Sequence, residues 1–243
     1  MMIEIVCECA TGHGGDLDIA ADMVRAAADS GADWVKFQTY DLAKLNPSDP
    51  QKDWLTQAHL DKADHEFLIR LCDQVGIKFL STPFDAGSLQ MLRDLGLTTF
   101  KVASSEAHST WWNPQAGEQW MVSWPWGDSP AGEVRVRLER NIGPAQYRAL
   151  TAIPLYPTPL ECVGQATLLD GWSDHTEGIA ACQWALAQGA CVIEAHLTLG
   201  HGRGRQTVWD KSPREFRQVR DFADSVETMR SGVGAVYRRR WSA

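Results

Sequence analysis

The chain has 243 residues, 44% of them hydrophobic, which is enough for a sizeable core and suits the length of an α/β barrel. Its formal net charge of −8 argues against general binding to nucleic acid, whose phosphates require a basic face. No apolar stretch approaches the roughly 18 residues that a membrane-spanning helix needs, and the first residues lack the pattern of a signal peptide, so we expect a cytoplasmic protein without membrane contact.

Strand-like apolar runs alternate with segments of helical periodicity along the chain. The runs predict eight strands, at residues 2–8, 33–40, 77–82, 98–104, 119–124, 151–157, 169–174 and 190–197. Helices are predicted at residues 16–31, 63–76, 85–96, 177–189 and 212–229. This alternation is typical of parallel βα units and predicts a closed (β/α)8 TIM barrel, built as one domain over residues 1–243. An open doubly wound sheet is the alternative, although no GxGxxG motif supports it.

One segment, residues 107–150, departs from the alternation. It contains five tryptophans within residues 111–126 and few helix signals before residues 144–150. We therefore expect a long loop and shortened helices there. The tryptophans either form an apolar lid over the site or cover the barrel beside a shortened helix, and the second interpretation is favoured because clustered tryptophans usually pack.

Polar and ionisable side chains follow or close nearly every predicted strand. Active sites of TIM barrels lie at the carboxyl ends of the strands, so these residues are the candidate site. They are Glu8, Lys36, Gln38, Thr82, Lys101, Ser104, Glu106, Ser123, Tyr156, Ser173, His175, Glu194 and His196. Two lysines among hydroxyl groups suit a small phosphate or carboxylate anion.

Two histidines on neighbouring strands, His175 and His196, can share a divalent cation. Each has an alternative interpretation, because an isolated histidine at a strand end is often only a hydrogen-bonded structural residue. Lys36 is harder to explain structurally, since burying an unpaired ammonium is costly. Glu194 could serve either the site or a core ion pair with such a lysine.

Seven motifs, in order and spacing, resemble the sialic acid synthase (N-acetylneuraminate synthase) family. They are ECATGHGGDLDIA, GADWVKFQTY, FLSTPFD, FKVASSE, YPTP, SDHTEGIAA and VIEAHLTL. The resemblance covers most of the chain except residues 107–150. It implies a TIM barrel that condenses phosphoenolpyruvate with an aldehyde sugar of the N-acylmannosamine type, giving a nonulosonic acid and phosphate. The cofactor implied is a divalent metal, commonly Mn²⁺, with Mg²⁺ and Co²⁺ as alternatives.

The resemblance also implies roles for individual residues. His175 and His196 correspond to the metal ligands. The residues implied in holding phosphoenolpyruvate are Lys36, Thr82, Lys101, Ser104, Ser123 and Ser173. Glu8 and Glu106 are expected to face the sugar or the reacting water, and Tyr156 to line the same cavity with Gln38. The metal would act as a Lewis acid, and the lysines would neutralise the departing phosphate.

The chain departs from the family pattern at three positions. Gly12 and Pro154 stand where the family has asparagines. The family's metal-proximal aspartate aligns best with Gln206, with Thr207 as the alternative, and Asp210 is the only carboxylate nearby in the sequence. Arg203 and Arg205, in the same loop as Gln206, are predicted to form a replacement anion clamp in which Arg205 binds substrate, with a solvated basic turn as the alternative. The family's C-terminal antifreeze-like domain is not recognisable in the sequence, so a homodimer is compatible with the resemblance but is not required by it.

Two other functions stay open on the sequence alone. The departures and the unrecognised domain would also suit a barrel that binds ligand without catalysis. A metal-dependent lyase or isomerase acting on a sugar would retain the two histidines without using phosphoenolpyruvate.

Overall fold

The computed structural model describes residues 2–127, 146–200 and 202–240. Within these ranges eight strands form one sheet in the order β3-β2-β1-β8-β7-β6-β5-β4, and every recorded pair is parallel. The two edge strands, β3 and β4, lie next to each other, so the sheet curls into a nearly closed barrel. The predicted (β/α)8 barrel is confirmed.

The strands are four to seven residues long. They are β1 (Glu4–Ala10), β2 (Trp34–Thr39), β3 (Lys78–Pro83), β4 (Thr99–Val102), β5 (Gln119–Pro125), β6 (Tyr147–Ala152), β7 (Gly171–Asp174) and β8 (Val192–His196). The α-helices in the described ranges are α1 (Leu17–Asp29), α2 (Lys52–Gln57), α3 (Lys62–Val75), α4 (Ala86–Asp94), α5 (Leu160–Val163), α6 (Ala180–Gln188) and α7 (Pro213–Arg240). None of them combines the length and apolar character of a bilayer-crossing helix.

Local sequence explains where the helices begin and end. The side chain of Asp16 caps α1, and that of Asp85 caps α4, each by accepting two backbone N–H groups of the first turn. Asp61 and Asp64 form a reciprocal capping box at the start of α3. That helix stops at Gly76, whose φ of +78° is left-handed backbone that glycine adopts without strain.

Strand β6 begins and ends earlier than predicted. The helical signal of residues 144–150 and the strand predicted at 151–157 are wrong for the residues described, because Tyr147–Ala152 forms a continuous ladder with β5. Pro154 and Pro157 lie beyond the ladder, and proline cannot donate a backbone hydrogen bond to extend it. Residues 128–145 of the predicted irregular segment lie outside the described residues. Residues 107–118 contain no α-helix, as expected.

The tryptophans of this segment are mostly packed. Trp112, Trp120 and Trp124 are each at most 1% exposed and form a core cluster with Phe100 and the α4 leucines. The larger core cluster lies between the sheet and the helices α1, α3, α6 and α7. The structure thus agrees with packing of the tryptophans rather than with an apolar lid.

A third apolar cluster lies under the candidate site. It contains Val6, Leu80, Met121, Leu150 and Val192, together with Trp34 and Cys191. Because side chains two residues apart share one face of a strand, the next inward residues on four of these strands form a layer above it. Those residues are Glu8, Thr82, Ser123 and Glu194. The barrel interior therefore changes from apolar to charged toward the carboxyl ends of the strands.

Candidate active site

A cavity of about 380 Å³ opens at the carboxyl ends of the strands. Twelve of the fourteen predicted site residues line it. They are Glu8, Lys36, Gln38, Thr82, Lys101, Ser104, Ser123, Tyr156, Ser173, His175, Glu194 and His196. The two that do not are Glu106 and Arg205. Seven of the eight strands supply residues near their carboxyl ends, and the loops after β4, β6 and β7 supply Ser104, Tyr156 and His175. This arrangement explains why positions far apart in sequence converge.

Lys36 occupies the side of the cavity formed by β1, β2 and β8. Its ammonium forms an ion pair with Glu8, lies 3.1 Å from Glu194 Oε2 and donates to Thr82 Oγ1 at 3.0 Å. All four residues are at most 5% exposed. The lysine is therefore compensated by two carboxylates, as a buried ammonium requires.

Lys101 approaches the same glutamate from the opposite wall. Its Nζ lies 3.4 Å from Glu194 Oε1 and donates to Ser123 Oγ at 2.8 Å. Ser173 Oγ also donates to Glu194 Oε1, at 2.8 Å. Glu194 thus bridges the two lysines. The sequence left open whether it forms a core ion pair, and it does so while also lining the cavity.

Burial and mutual charge set the ionisation of this cluster. Burial raises the pKa of Glu8 by more than the Lys36 charge lowers it. Burial alone would raise the pKa of Glu194 too, but Lys101 and Lys36 hold it well below its usual range. Burial lowers the pKa of Lys101 to about 8, only partly offset by Glu194. For Lys36, the charges of Glu194 and Glu8 outweigh burial and raise the pKa.

The cluster is therefore a set of two positive and two negative groups with different proton affinities. Glu8 is the carboxylate that takes up a proton most readily, and Lys101 is the ammonium that loses one most readily. An anion that displaces these contacts can be accommodated by protonating Glu8, which leaves both lysines charged.

His175 and His196 lie side by side at the ends of β7 and β8, with ring centroids 5.4 Å apart. Burial lowers the pKa of His175 to about 4 and that of His196 well below its usual value, so both imidazoles are neutral at pH 7. Nδ1 of His175 is buried and neither accepts nor donates a hydrogen bond within the described residues. Neutral imidazoles with an unused ring nitrogen are suitable ligands for a divalent metal.

No group of three or more His, Cys, Asp or Glu side chains in the described ranges is placed to hold a metal. A cation bound by the two histidines would therefore need water or substrate oxygens to complete its coordination. Sites with few protein ligands and open positions are typical of catalytic rather than structural metals.

Tyr156 separates this cavity from a second one of about 340 Å³. Its ring centroid lies 4.2 Å from that of His175 and 5.7 Å from that of Trp209, and the residue is 52% exposed. Gln38 and His196 also line both cavities. The two spaces are therefore adjoining compartments of one site.

Arg205 lines the second cavity. Its guanidinium lies 5.3 Å from the Trp54 ring centroid, and Nη1 donates to Gln51 Oε1 at 3.3 Å. No carboxylate of the described residues lies within ion-pair distance of it. Arg203 forms an ion pair with Asp22 and lines neither cavity. Of the predicted anion clamp, only Arg205 therefore brings a free charge to a cavity wall, away from the two lysines.

Two glycines place Arg205 there. The Arg205 N–H donates to Gly12 O at 2.7 Å, so the loop after β8 lies directly on the loop after β1. A Cβ on Gly204 would lie 2.0 Å from Gly12 O, and one on Gly12 would lie 3.0 Å from Cys9 O. Gly12, which stands in place of a family asparagine, therefore lies where the backbones of the loops after β1 and β8 approach closely.

The other departures have different surroundings. Pro154 lines the first cavity, where it presents no side-chain donor. Gln206 is exposed and lines neither cavity. Asp210 does line the second cavity, and its carboxylate accepts from the Thr207 N–H and hydroxyl at 2.6 and 2.7 Å.

Glu106 is not brought to the cavity. It lies in a 3₁₀ turn after β4, and its Oε2 accepts from Ser109 Oγ at 2.6 Å and from Trp111 Nε1 at 2.8 Å. Its own backbone carbonyl accepts from Trp112 Nε1. The carboxylate is thus engaged in fixing the tryptophan-containing loop, and we assign it no part in the chemistry.

One buried ion pair beside the site was missed at the level of sequence. Lys211 Nζ lies 2.7 Å from Asp174 Oδ2, and both side chains are at most 1% exposed. Asp174 was visible in the SDHT motif, but Lys211 lies in a loop with no strand or motif around it. The only signal was a lysine shortly before a predicted helix, which usually indicates solvent exposure.

Comparison with known proteins identifies the family. Residues 23–234 match the family model described as NeuB family. The chain belongs to the NeuB family. Two relatives are named N,N'-diacetyllegionaminic acid synthase: the one from Campylobacter jejuni is 34% identical over 80% of this chain and 67% of its own length. The one from Legionella pneumophila is 30% identical over 94% of this chain and 73% of its own.

A solved structure of this type supports the architecture. The sialic acid synthetase of Leptospira borgpetersenii, crystallised with citrate, superposes with a TM-score of 0.78 at 22% identity, over 100% of this chain and 93% of that one. At this identity the likeness shows the fold alone. The resemblance to sialic acid synthases is confirmed, and the cavity described above lies in a NeuB barrel.

Proposed function

We propose that this NeuB protein is a nonulosonic acid synthase that condenses phosphoenolpyruvate with an aldehyde sugar of the N-acylmannosamine type, releasing phosphate. A bond forms between C3 of phosphoenolpyruvate and the aldehyde carbon. Water adds at C2, and the bond from C2 to the phosphate oxygen breaks. The family membership and the synthase names of the relatives support the reaction class.

The observation that carries the proposal is the pair of buried lysines beside a pair of neutral histidines in one cavity. Lys36 and Lys101 lie on opposite sides of Glu194, each with a hydroxyl partner. Phosphoenolpyruvate carries a phosphate and a carboxylate, which suits two separated cationic groups with short hydroxyl donors. A core that needed only stability would be served as well by apolar residues.

We assign phosphoenolpyruvate to the first cavity. Lys101 and Ser123 bind one anionic end and Lys36 and Thr82 the other, with Ser104 and Ser173 on the walls. Glu194 keeps the two ammonium groups apart. Glu8, whose pKa burial raises, accepts the proton that offsets the added negative charge. We assign it to face the sugar or the reacting water.

His175 and His196 would hold the divalent metal, with Mn²⁺ the expected ion. When bound there, it supplies Lewis acidity that polarises the aldehyde. The fit rests on two neutral imidazoles and the unused Nδ1 of His175.

The aldehyde sugar is assigned to the second cavity, with its reacting carbon toward Tyr156 and His196. Gln38 reaches both compartments and can orient the sugar against phosphoenolpyruvate. Arg205, on the far wall, would accept a hydroxyl, carbonyl or anionic group of the sugar.

Calorimetric titration with phosphoenolpyruvate tests the lysine assignment. Lys101→Met removes a charge-assisted hydrogen bond worth about 2 kcal/mol, so the dissociation constant should rise about thirty-fold. Lys78→Met is the matched control, because Lys78 is exposed at the start of β3 and its removal should leave binding unchanged. Equal affinity of both variants for phosphoenolpyruvate would refute the assignment.

A further inference from the structure

Lys211 is a buried ammonium to which the proposed reaction gives no part. Lys211 is 1% exposed. Its Nζ lies 2.7 Å from Asp174 Oδ2 and donates to the backbone carbonyls of Thr176 and Trp209 at 2.5 and 2.9 Å. An ammonium has three N–H donors, and here each has an acceptor. The side chain is therefore held in one position and lines neither cavity.

Two of those acceptors flank His175. Asp174 precedes it and Thr176 follows it, so one ammonium binds the chain on both sides of this histidine. Asp174 Oδ1 also accepts from Trp172 Nε1 at 2.9 Å and from the Thr176 hydroxyl at 3.1 Å. The backbone carrying His175 is thus fixed by a closed network whose centre is the ion pair.

The backbone of Lys211 binds the second histidine. Its N–H donates to His196 O at 2.7 Å, and its carbonyl accepts from Thr198 N at 2.9 Å. A parallel bridge between Leu197 and Lys211 continues this contact. One residue therefore connects the ends of β7 and β8 at the two positions that carry the histidines.

We propose that Lys211 is a positioning residue that holds His175 and His196 together so that they can share a divalent cation. The inference rests on the proposed function, because it assigns Lys211 a role in metal binding by that pair. Groups that orient metal ligands without touching the metal commonly affect affinity strongly. The third contact, to Trp209, extends the same effect to the Tyr156 ring that Trp209 packs against.

Titration of metal-stripped protein with Mn²⁺ tests the proposal in four proteins: wild type, Lys211→Met, the double variant Lys211→Met with Asp174→Asn, and Arg93→Met. The double variant removes both charges of the buried pair. Arg93→Met breaks a different partly buried ion pair, 2.7 Å from Glu118, between α4 and the loop before β5. It controls for loss of stability alone.

We expect Lys211→Met to weaken Mn²⁺ binding by about 10- to 100-fold, the range seen when groups behind metal ligands are removed. Phosphoenolpyruvate affinity without metal should stay unchanged. The imidazole NMR signals of His175 and His196 should move in Lys211→Met and not in Arg93→Met. The double variant should regain thermal stability, because no buried charge is left unpaired, but not Mn²⁺ affinity.

Three results would overturn the proposal in distinguishable ways. If the wild type binds no Mn²⁺, the metal part of the proposed function fails and this role of Lys211 fails with it. If the wild type binds Mn²⁺ and Lys211→Met binds it equally well, only the role of Lys211 fails. If the double variant regains both stability and Mn²⁺ affinity, Lys211 acts through folding alone.

Discussion

Glu194 and the two lysines it bridges show how single residues combine to make this site. Lys101 is 1% exposed. Without a partner, an ammonium buried to this degree would lose its proton or destabilise the fold. With Glu194 3.4 Å away it stays charged over much of the physiological range, and its pKa lies at about 8. The site therefore presents a lysine whose charge depends on pH near neutrality.

That pKa predicts how binding of phosphoenolpyruvate depends on pH. Only the protonated form of Lys101 attracts the anion, so affinity should be steady below pH 8 and fall as the pH rises through 8. Calorimetry between pH 6.5 and 9.5 without metal measures this. Lys101→Met should lack the fall, and a wild-type profile that stays flat to pH 9.5 would argue against Lys101 as a binding group.

The low pKa values of the two histidines predict a different pH dependence for metal binding. Protonated imidazole cannot bind a metal, and burial lowers the pKa of His175 to about 4 and that of His196 well below its usual value. Mn²⁺ affinity should therefore change little from pH 7.5 down to 5.5 and fall only as the pH approaches 4. A midpoint near 6.5, typical of an exposed histidine, would contradict this environment.

Replacing the ligands themselves is a separate test. His175→Ala should abolish measurable Mn²⁺ binding, since the described residues offer no third side chain that could take its place. His59→Ala is the control, because His59 packs against Tyr40 away from both cavities. Equal Mn²⁺ affinity in the two variants would show that the metal ligands lie elsewhere.

For single residues, the sequence predicted which side chains lie at the site better than it predicted which groups they contact. Residues such as Lys36 and Ser123 were found because inward-facing strand ends of a barrel meet at one place. Glu106 followed the same rule but lies in a 3₁₀ turn that directs its carboxylate to Ser109 and Trp111. Lys211 was missed because its importance depends on tertiary contacts with Asp174 and with the His196 backbone.

Among the elements, the loops after β1 and β8 build the second cavity by packing backbone on backbone. The contact needs Gly204, whose φ is +78° and whose Cβ, if present, would lie 2.0 Å from Gly12 O. No side chain can relieve a clash between two main chains. An asparagine at position 12, as in the family pattern, would also have to fit within 3.0 Å of Cys9 O.

Gly204→Ala should therefore be more destabilising than an alanine at an equally left-handed but open position. Gly96 is the control, because its φ is +85° and nothing lies within 4 Å of an added Cβ. Gly96→Ala should cost about 1–2 kcal/mol from backbone strain alone, and Gly204→Ala clearly more. Chemical denaturation measures both, and equal losses would mean that the two loops do not approach as closely as described.

Hydrophobic periodicity located most helices and strands, but it failed where a helix-like pattern overlapped a strand. Strand β6, Tyr147–Ala152, was predicted four residues late, at 151–157, because residues 144–150 carry a helix-like signal and the apolar run was taken to begin after them. The short helix α2 had no predicted counterpart, since six residues carry little periodicity. Strands with an uninterrupted apolar face, such as β8, were predicted to within two residues at each end.

For the whole molecule, closure of the barrel brings the two lysines and the two histidines into one cavity. The Lys36 side of the site comes from β1–β3 and the Lys101 side from β4 and β5, while β7 and β8 supply the histidines and Glu194. These groups share one cavity only because β3 and β4 meet across the barrel. The fold and family were predictable from ordered motifs. The acceptor was not, because the second cavity is built by loops whose tertiary contacts the motifs do not encode.

Turnover tests the central claim most directly. The protein is incubated with phosphoenolpyruvate, Mn²⁺ and each of several N-acylmannosamine-type sugars, including one with two acetamido groups, and phosphate and sugar acid are followed by colorimetry and mass spectrometry. We predict that one sugar yields phosphate and a nonulosonic acid in equal amounts, and that Lys101→Met forms both about thirty-fold more slowly at low phosphoenolpyruvate concentration. If phosphoenolpyruvate stays intact with every sugar while binding to the wild type, the barrel binds its ligand without performing the condensation proposed here.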